Sequence, residues 1–200
     1  MTHPYMVTAT GRRVAPWALT ADMVCIEDIV RATSKLCRFA GHGQRFYSVA
    51  AHQVLVCQLA CVDHLEGSVV ARCALLHDAV EAYVVDVPSP LKHHLPDYQR
   101  IEARAAQAIC EAFNLPHPDA QVWDEVKYYD ILAGYMEARL LFSPVPEWVG
   151  DIPARFLTSG VAPSICAPGP AEWLYRQELR SRGYLPPLEY VEDVCLPPQD

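Results

Sequence analysis

No stretch of this 200-residue chain comes near the roughly eighteen unbroken apolar residues that a membrane-crossing helix requires, so no membrane span is expected. The opening residues Met1-Thr2-His3-Pro4-Tyr5 lack a basic segment followed by an apolar run, and no signal peptide is read there. Cysteine is present in eight copies, yet none stands in C-x-x-C spacing. Cys57, Cys61, Cys73 and Cys110 fall inside helical apolar patterns, which reads as reduced core thiols of a cytoplasmic protein rather than a zinc knuckle. Positive charge is short as well: 16 Lys and Arg stand against 24 Asp and Glu, for a formal charge of −8. A long nucleic acid is therefore excluded as the main partner, whereas one metal and a few basic groups suffice for a mononucleotide. No internal repeat is visible.

What is there is apolar residue in helical rhythm. The hydrophobic fraction of 52% supports a folded core. Apolar positions at i, i+3, i+4 and i+7 predict helices over 26–37, 49–61, 69–83, 97–113 and 119–142. A short strand or hairpin is expected within residues 4–20, and loops at 38–46 and 86–92. In the second loop Pro88 and Pro90 push their predecessors out of the α region. The fold class is all-α, a bundle of about five core helices behind a short N-terminal hairpin. From Ser143 onward prolines crowd the chain and leave room for one short helix near residues 171–180. The expected organisation is a helical domain over 1–142 and a Pro-rich extension over 143–200. That extension packs on the core or on a second copy, and a homo-oligomer is expected.

Chemistry concentrates in Leu76-His77-Asp78-Ala79-Val80-Glu81. With the helix predicted over 69–83, Glu81 lies i+4 from His77 and i+3 from Asp78, on one edge. Imidazole and carboxylate suit a borderline or hard divalent ion, and a nearby carboxylate that does not ligate can act on a water held there. His52 sits among Ala50, Ala51, Val54 and Leu55, where a satisfied core histidine is the plainer reading. Asp130 has small neighbours one turn on, Ala133 and Gly134; taken alone it fits a solvent-facing side chain equally well. Together, His52, His77, Asp78 and Asp130 make an N2O2 ligand set drawn from three helices. Lys92 and Arg45, on loops beside the ligand-bearing helices, are candidates to hold phosphate oxygens, with a solvated surface charge as the alternative for each.

The order His52, then His77-Asp78, then Asp130 resembles the H…HD…D pattern of the HD-domain superfamily of metal-dependent phosphohydrolases. Phe46 to His52, Leu76 to Tyr83, and Asp86-Val87-Pro88-Ser89-Pro90-Leu91-Lys92 look like the branch of the bacterial 5′-deoxyribonucleotidase and the phage dATP triphosphohydrolases. The likeness covers about residues 8–142, and more weakly 171–183. It implies His52, His77, Asp78 and Asp130 as ligands of a divalent metal (Co, Mn, Mg or Zn), with Asp78 and Glu81 catalytic and Glu81 acting on the attacking water. It also implies that Arg38 and Phe39 select sugar and base. Two positions depart from the branch. Ala51-His52-Gln53 replaces a Glu-His-Ser sequence, and Val85 stands where a Gly usually precedes the loop aspartate. The expected activity is hydrolysis of (deoxy)nucleoside 5′-monophosphates to nucleoside and phosphate. The alternatives are a dNTP triphosphohydrolase releasing triphosphate, and a non-catalytic nucleotide-binding protein of the same fold.

Overall fold

Backbone hydrogen bonds close early along this chain, because most of its apolar runs have helical spacing. A computed structural model describes residues 5–186. The remainder of the expected extension, residues 187–200, lies outside the described residues, as do residues 1–4. A two-stranded antiparallel hairpin comes first, β1 (Met6–Val7) and β2 (Arg13–Val14), in register Met6 to Val14. It is fastened to α1 (Ile26–Thr33) by the buried Asp28, whose carboxylate accepts from the Thr10 backbone N–H at 2.7 Å and the Thr10 hydroxyl at 3.0 Å.

Next comes α2 (Val49–Asp63), capped by Ser48, whose hydroxyl accepts from the Ala51 N–H at 3.1 Å. Its sequence is apolar on nearly every face, which suits a helix at the centre of the bundle. The neighbouring α3 (Val69–Leu76) is capped in the same way by Ser68. There the structure corrects the expected continuous helix over 69–83. The helix stops at Leu76, a turn of i→i+3 bonds spans residues 77–80, and a single turn α4 (Glu81–Val84) follows. The cause is local. The His77 ring donates from Nδ1 to the Ala74 carbonyl at 2.7 Å, and that carbonyl is the one a continuing α-helix gives to the Asp78 N–H.

The proline-punctuated loop carries one turn, α5 (Ser89–Lys92), ahead of α6 (Pro96–Ala112) and the longest helix, α7 (Val122–Leu141). The expected helix over 26–37 ends earlier, at Thr33, and a 3-10 turn occupies Arg38–Gly41. Beyond α7 come the single turn α8 (Ala154–Leu157) and the helix α9 (Pro168–Ser181). The central α2 packs against α3, α7 and α9. Tyr175 and Leu179 of α9 are fully buried. Gln53, one of the departures noted above, donates to both the Leu75 carbonyl at 3.1 Å and the Tyr175 hydroxyl at 3.0 Å. Tyr175 in turn donates to the same Leu75 carbonyl at 3.2 Å. Farther along α9, Arg176 clasps Glu27 of α1 at 2.6 and 2.8 Å.

Tyr175→Ala empties a closed site and strips Gln53 of a partner, so it is expected to destabilise the protein by about 3–5 kcal/mol. Tyr175→Phe keeps the ring and is expected to lose only about 1–2 kcal/mol. Urea unfolding of the two variants checks this; equal losses would mean that the ring volume is not what the core requires.

Candidate metal centre and its cavity

Two imidazoles and a carboxylate come together where α2 crosses the end of α3. His52 projects from α2, and the turn after α3 presents His77 and Asp78. Their ligand atoms lie within 4.8 Å of one another, the one group of this kind among the described residues. The two Nε2 atoms stand 3.1 Å apart, and Asp78 Oδ2 is 3.2 Å from His77 Nε2 and 3.5 Å from His52 Nε2. Asp130 of α7 joins from the side: one oxygen is 3.1 Å from His52 Nε2, and Lys127 holds the other at 2.6 Å. The structure thus brings the four expected ligands to one place, with Asp130 outside the tight trio.

The outward nitrogens explain why the inward ones are free. His77 Nδ1 faces a carbonyl, which can only accept, so it carries the proton. His52 Nδ1 faces the Glu137 carboxylate at 2.6 Å and also donates. In the neutral rings both Nε2 atoms therefore present lone pairs, 3.1 Å apart and facing two carboxylates. Such a set is repulsive until a proton or a cation enters it. Burial and the Arg38 charge push the His52 pKa down, yet Glu137 and Asp130 lift it to about 9. Against the upward push of burial, His77 and His52 hold the Asp78 carboxyl well below its usual range. His52 does the same for Asp130. The site draws positive charge to the point where the ligands converge, and its donor set fits a divalent ion.

Glu137 is the functional residue that sequence reasoning missed. It is fully buried on α7, where it accepts from His52 through one oxygen and from Arg38 Nε through the other, at 3.2 Å. A signal did exist: Glu137 is seven residues after Asp130, two turns along one face, inside the otherwise apolar Tyr135-Met136-Glu137-Ala138. Outer-sphere carboxylates of this sort fix the tautomer and orientation of a ligating imidazole. Arg38, assigned by resemblance to substrate selection, spans Glu137 and Asp78, the latter at 3.5 Å.

Asp78 and Asp130 line a cavity of about 800 Å³, whereas His77 lines a smaller neighbouring one of about 280 Å³. Phe39 and Phe142 form part of its wall, their rings edge to face at 5.3 Å. Phe39 and Ala40 both have positive φ, 56° and 50°, uncommon for side-chain-bearing residues and often found at functional sites. Glu81 faces the same space, 5% exposed, and its Oε2 has no hydrogen-bond partner among the described residues. Burial, with the Asp78 and Asp86 carboxylates nearby, pushes the Glu81 carboxyl well up. Lys92 also lines the cavity, although its ammonium is held by Glu102 at 2.5 Å. Arg45 is exposed and stands outside the residues that line it. Asp86, not singled out from the sequence, lines it too. Asp86 follows Val85, whose φ of 64° and ψ of 162° fall in a region otherwise kept by glycine. Two bonds hold that conformation: Val85 donates to the Glu81 carbonyl at 2.9 Å and accepts from the Tyr98 hydroxyl at 2.8 Å.

Residues 39–135 match the HD-domain family. Among known proteins, the chain is 38% identical over 151 residues to the Escherichia coli (strain K12) protein named "Uncharacterized protein YfdR", an alignment covering 72% of this chain and 80% of that one.

Asp78→Ala is expected to lose bound metal, and Glu137→Gln to weaken metal binding about 10–100-fold while keeping the helical fold. Elemental analysis and calorimetric metal titration read both; undiminished affinity in Glu137→Gln would deny Glu137 its hold on His52. Val85→Gly relieves strain of about 1–3 kcal/mol and adds chain entropy of about 0.5–1 kcal/mol. A net gain of about 1 kcal/mol in unfolding free energy is expected from denaturant midpoints.

Proposed function

We propose, on the footing that this chain belongs to the HD-domain family of metal-dependent phosphohydrolases, that it hydrolyses (deoxy)nucleoside 5′-monophosphates to nucleoside and phosphate. The observation that carries this reading is the cavity of about 800 Å³, which has Asp78 and Asp130 at one side and the Phe39–Phe142 pair in its wall. That volume suits a small molecule of nucleotide size. His52, His77, Asp78 and Asp130 would hold the divalent ion. When bound, the ion supplies a Lewis acid that polarises phosphoryl oxygen and lowers the pKa of water.

The chain's own groups do the rest. Glu81, which lines the cavity and has one oxygen unpartnered among the described residues, takes the proton of the water that attacks phosphorus. The P–O bond to the nucleoside then breaks on the opposite side, its electron pair goes to the nucleoside oxygen, and that oxygen takes a proton from solvent. Glu137 keeps the His52 ring fixed through these steps. Lys92 and Lys127, both at the cavity wall, meet phosphate oxygens, and Phe39 stacks on the base. The cation supply favours a monophosphate over a triphosphate. Arg38 is engaged by Glu137, Lys92 by Glu102 and Lys127 by Asp130. Each basic side chain named here is thus already partly neutralised.

A screen of nucleoside mono- and triphosphates with several divalent metals, reading phosphate and triphosphate separately, tests the reading. Release of triphosphate from a dNTP, with monophosphates untouched, would replace it by the triphosphohydrolase alternative. Glu81→Ala is expected to retain metal and nucleotide binding and to lose turnover by roughly 10²–10⁴-fold. Unimpaired turnover in that variant would remove Glu81 from the mechanism.

A further inference from the structure

We infer that Trp148, in the segment just after α7, is a base-recognition residue of the cavity, so that the C-terminal extension supplies one wall of the substrate site. The inference rests on the nucleotide reading above and concerns how the base is held. Trp148 lines the same cavity as Phe39, Phe142 and Pro146. It is 54% exposed, a large apolar ring left in contact with water beside the metal-ligand residues. Burying such a ring against a planar ligand recovers apolar area that the free protein leaves wet.

The ring is held in place. Its centroid is 6.4 Å from that of Tyr135, at an interplanar angle of 40°. Two residues on, the chain runs so close to Tyr135 that a Cβ on Gly150 would lie 2.8 Å from the ring. Arg139 donates to the Gly150 carbonyl at 3.1 Å, which fixes the segment a second time. Tyr135 and Arg139 belong to α7, the helix that also carries Asp130 and Glu137. One rigid element therefore sets the position of a ligand, of the carboxylate behind another ligand, and of the Trp148 wall. Because every base has an aromatic face, stacking on Trp148 gives affinity with little preference among bases. Recognition would extend to any nucleobase and would be absent for a bare sugar phosphate.

The test compares deoxynucleoside 5′-monophosphates with 2-deoxyribose 5-phosphate as substrates of the full-length, metal-loaded protein. Trp148→Ala is expected to lose roughly tenfold of the discrimination between them, through KM for the nucleotides, and Trp148→Phe to recover most of it. Nucleotide-induced quenching of tryptophan emission is expected to diminish in Trp148→Phe. Since Trp148 is more than half exposed, its removal leaves the core intact. Gly150→Ala tests the same wall with Trp148 retained, and the same loss of discrimination is expected as the segment is pushed off Tyr135. An equal loss on both substrates, or quenching unchanged in Trp148→Phe, overturns the inference while the nucleotide reading stands. If the unaltered protein neither binds nor hydrolyses nucleotides, the nucleotide reading fails and this inference with it.

Discussion

A carboxylate with no exposure to solvent cannot remain ionised without partners, and Glu137 has two, His52 and Arg38. Desolvating such a charge costs several kcal/mol unless good geometry repays it, and removing either partner would leave it stranded. This pairing ties together three parts of the chain: the centre of α2, the 3-10 turn at Arg38, and the C-terminal half of α7. The candidate metal ligands inherit their positions from it. His52 is aimed by Glu137, and Asp78 is approached by the Arg38 guanidinium that Glu137 anchors. Rigid helices thus supply the site from below, while strained backbone at Phe39, Ala40 and Val85 shapes its mouth.

Much of the architecture could be read from periodicity, since α2, α6 and α7 are long apolar or amphipathic runs bounded by recognisable caps and prolines. The four candidate ligands stood out for a different reason: His52 and Asp130 are polar residues in settings that otherwise call for apolar ones. What could not be read is where a side chain competes with the backbone. No pattern of apolar spacing reveals that the His77 ring takes the Ala74 carbonyl and ends α3 there. Nor could the pairing of Arg38 with Glu137 be read, because the two are 99 positions apart in sequence. The missing glycine at Val85 was visible as a departure, and the positive φ shows what it means: the turn keeps a glycine-like shape around a β-branched residue. Gln53 is the opposite case, a departure whose amide nitrogen is met by Leu75 and Tyr175, while its Oε1 has no partner among the described residues.

The family pattern spans residues 39–135, and this boundary has a practical meaning once the contacts around it are known. A fragment cut to those limits would contain every expected ligand, from His52 to Asp130, and would look sufficient by motif. It would lack Arg38 by one residue and Glu137 by two, so the His52 ring would lose its acceptor and Asp78 its guanidinium. Without α9, the amide of Gln53 and the carbonyl of Leu75 would also lose the Tyr175 hydroxyl and face an open groove on α2. For this chain a piece that keeps the supports of the motif must also hold Arg38, Glu137 and α9, together with Tyr184, whose hydroxyl accepts from Arg72 at 2.9 Å.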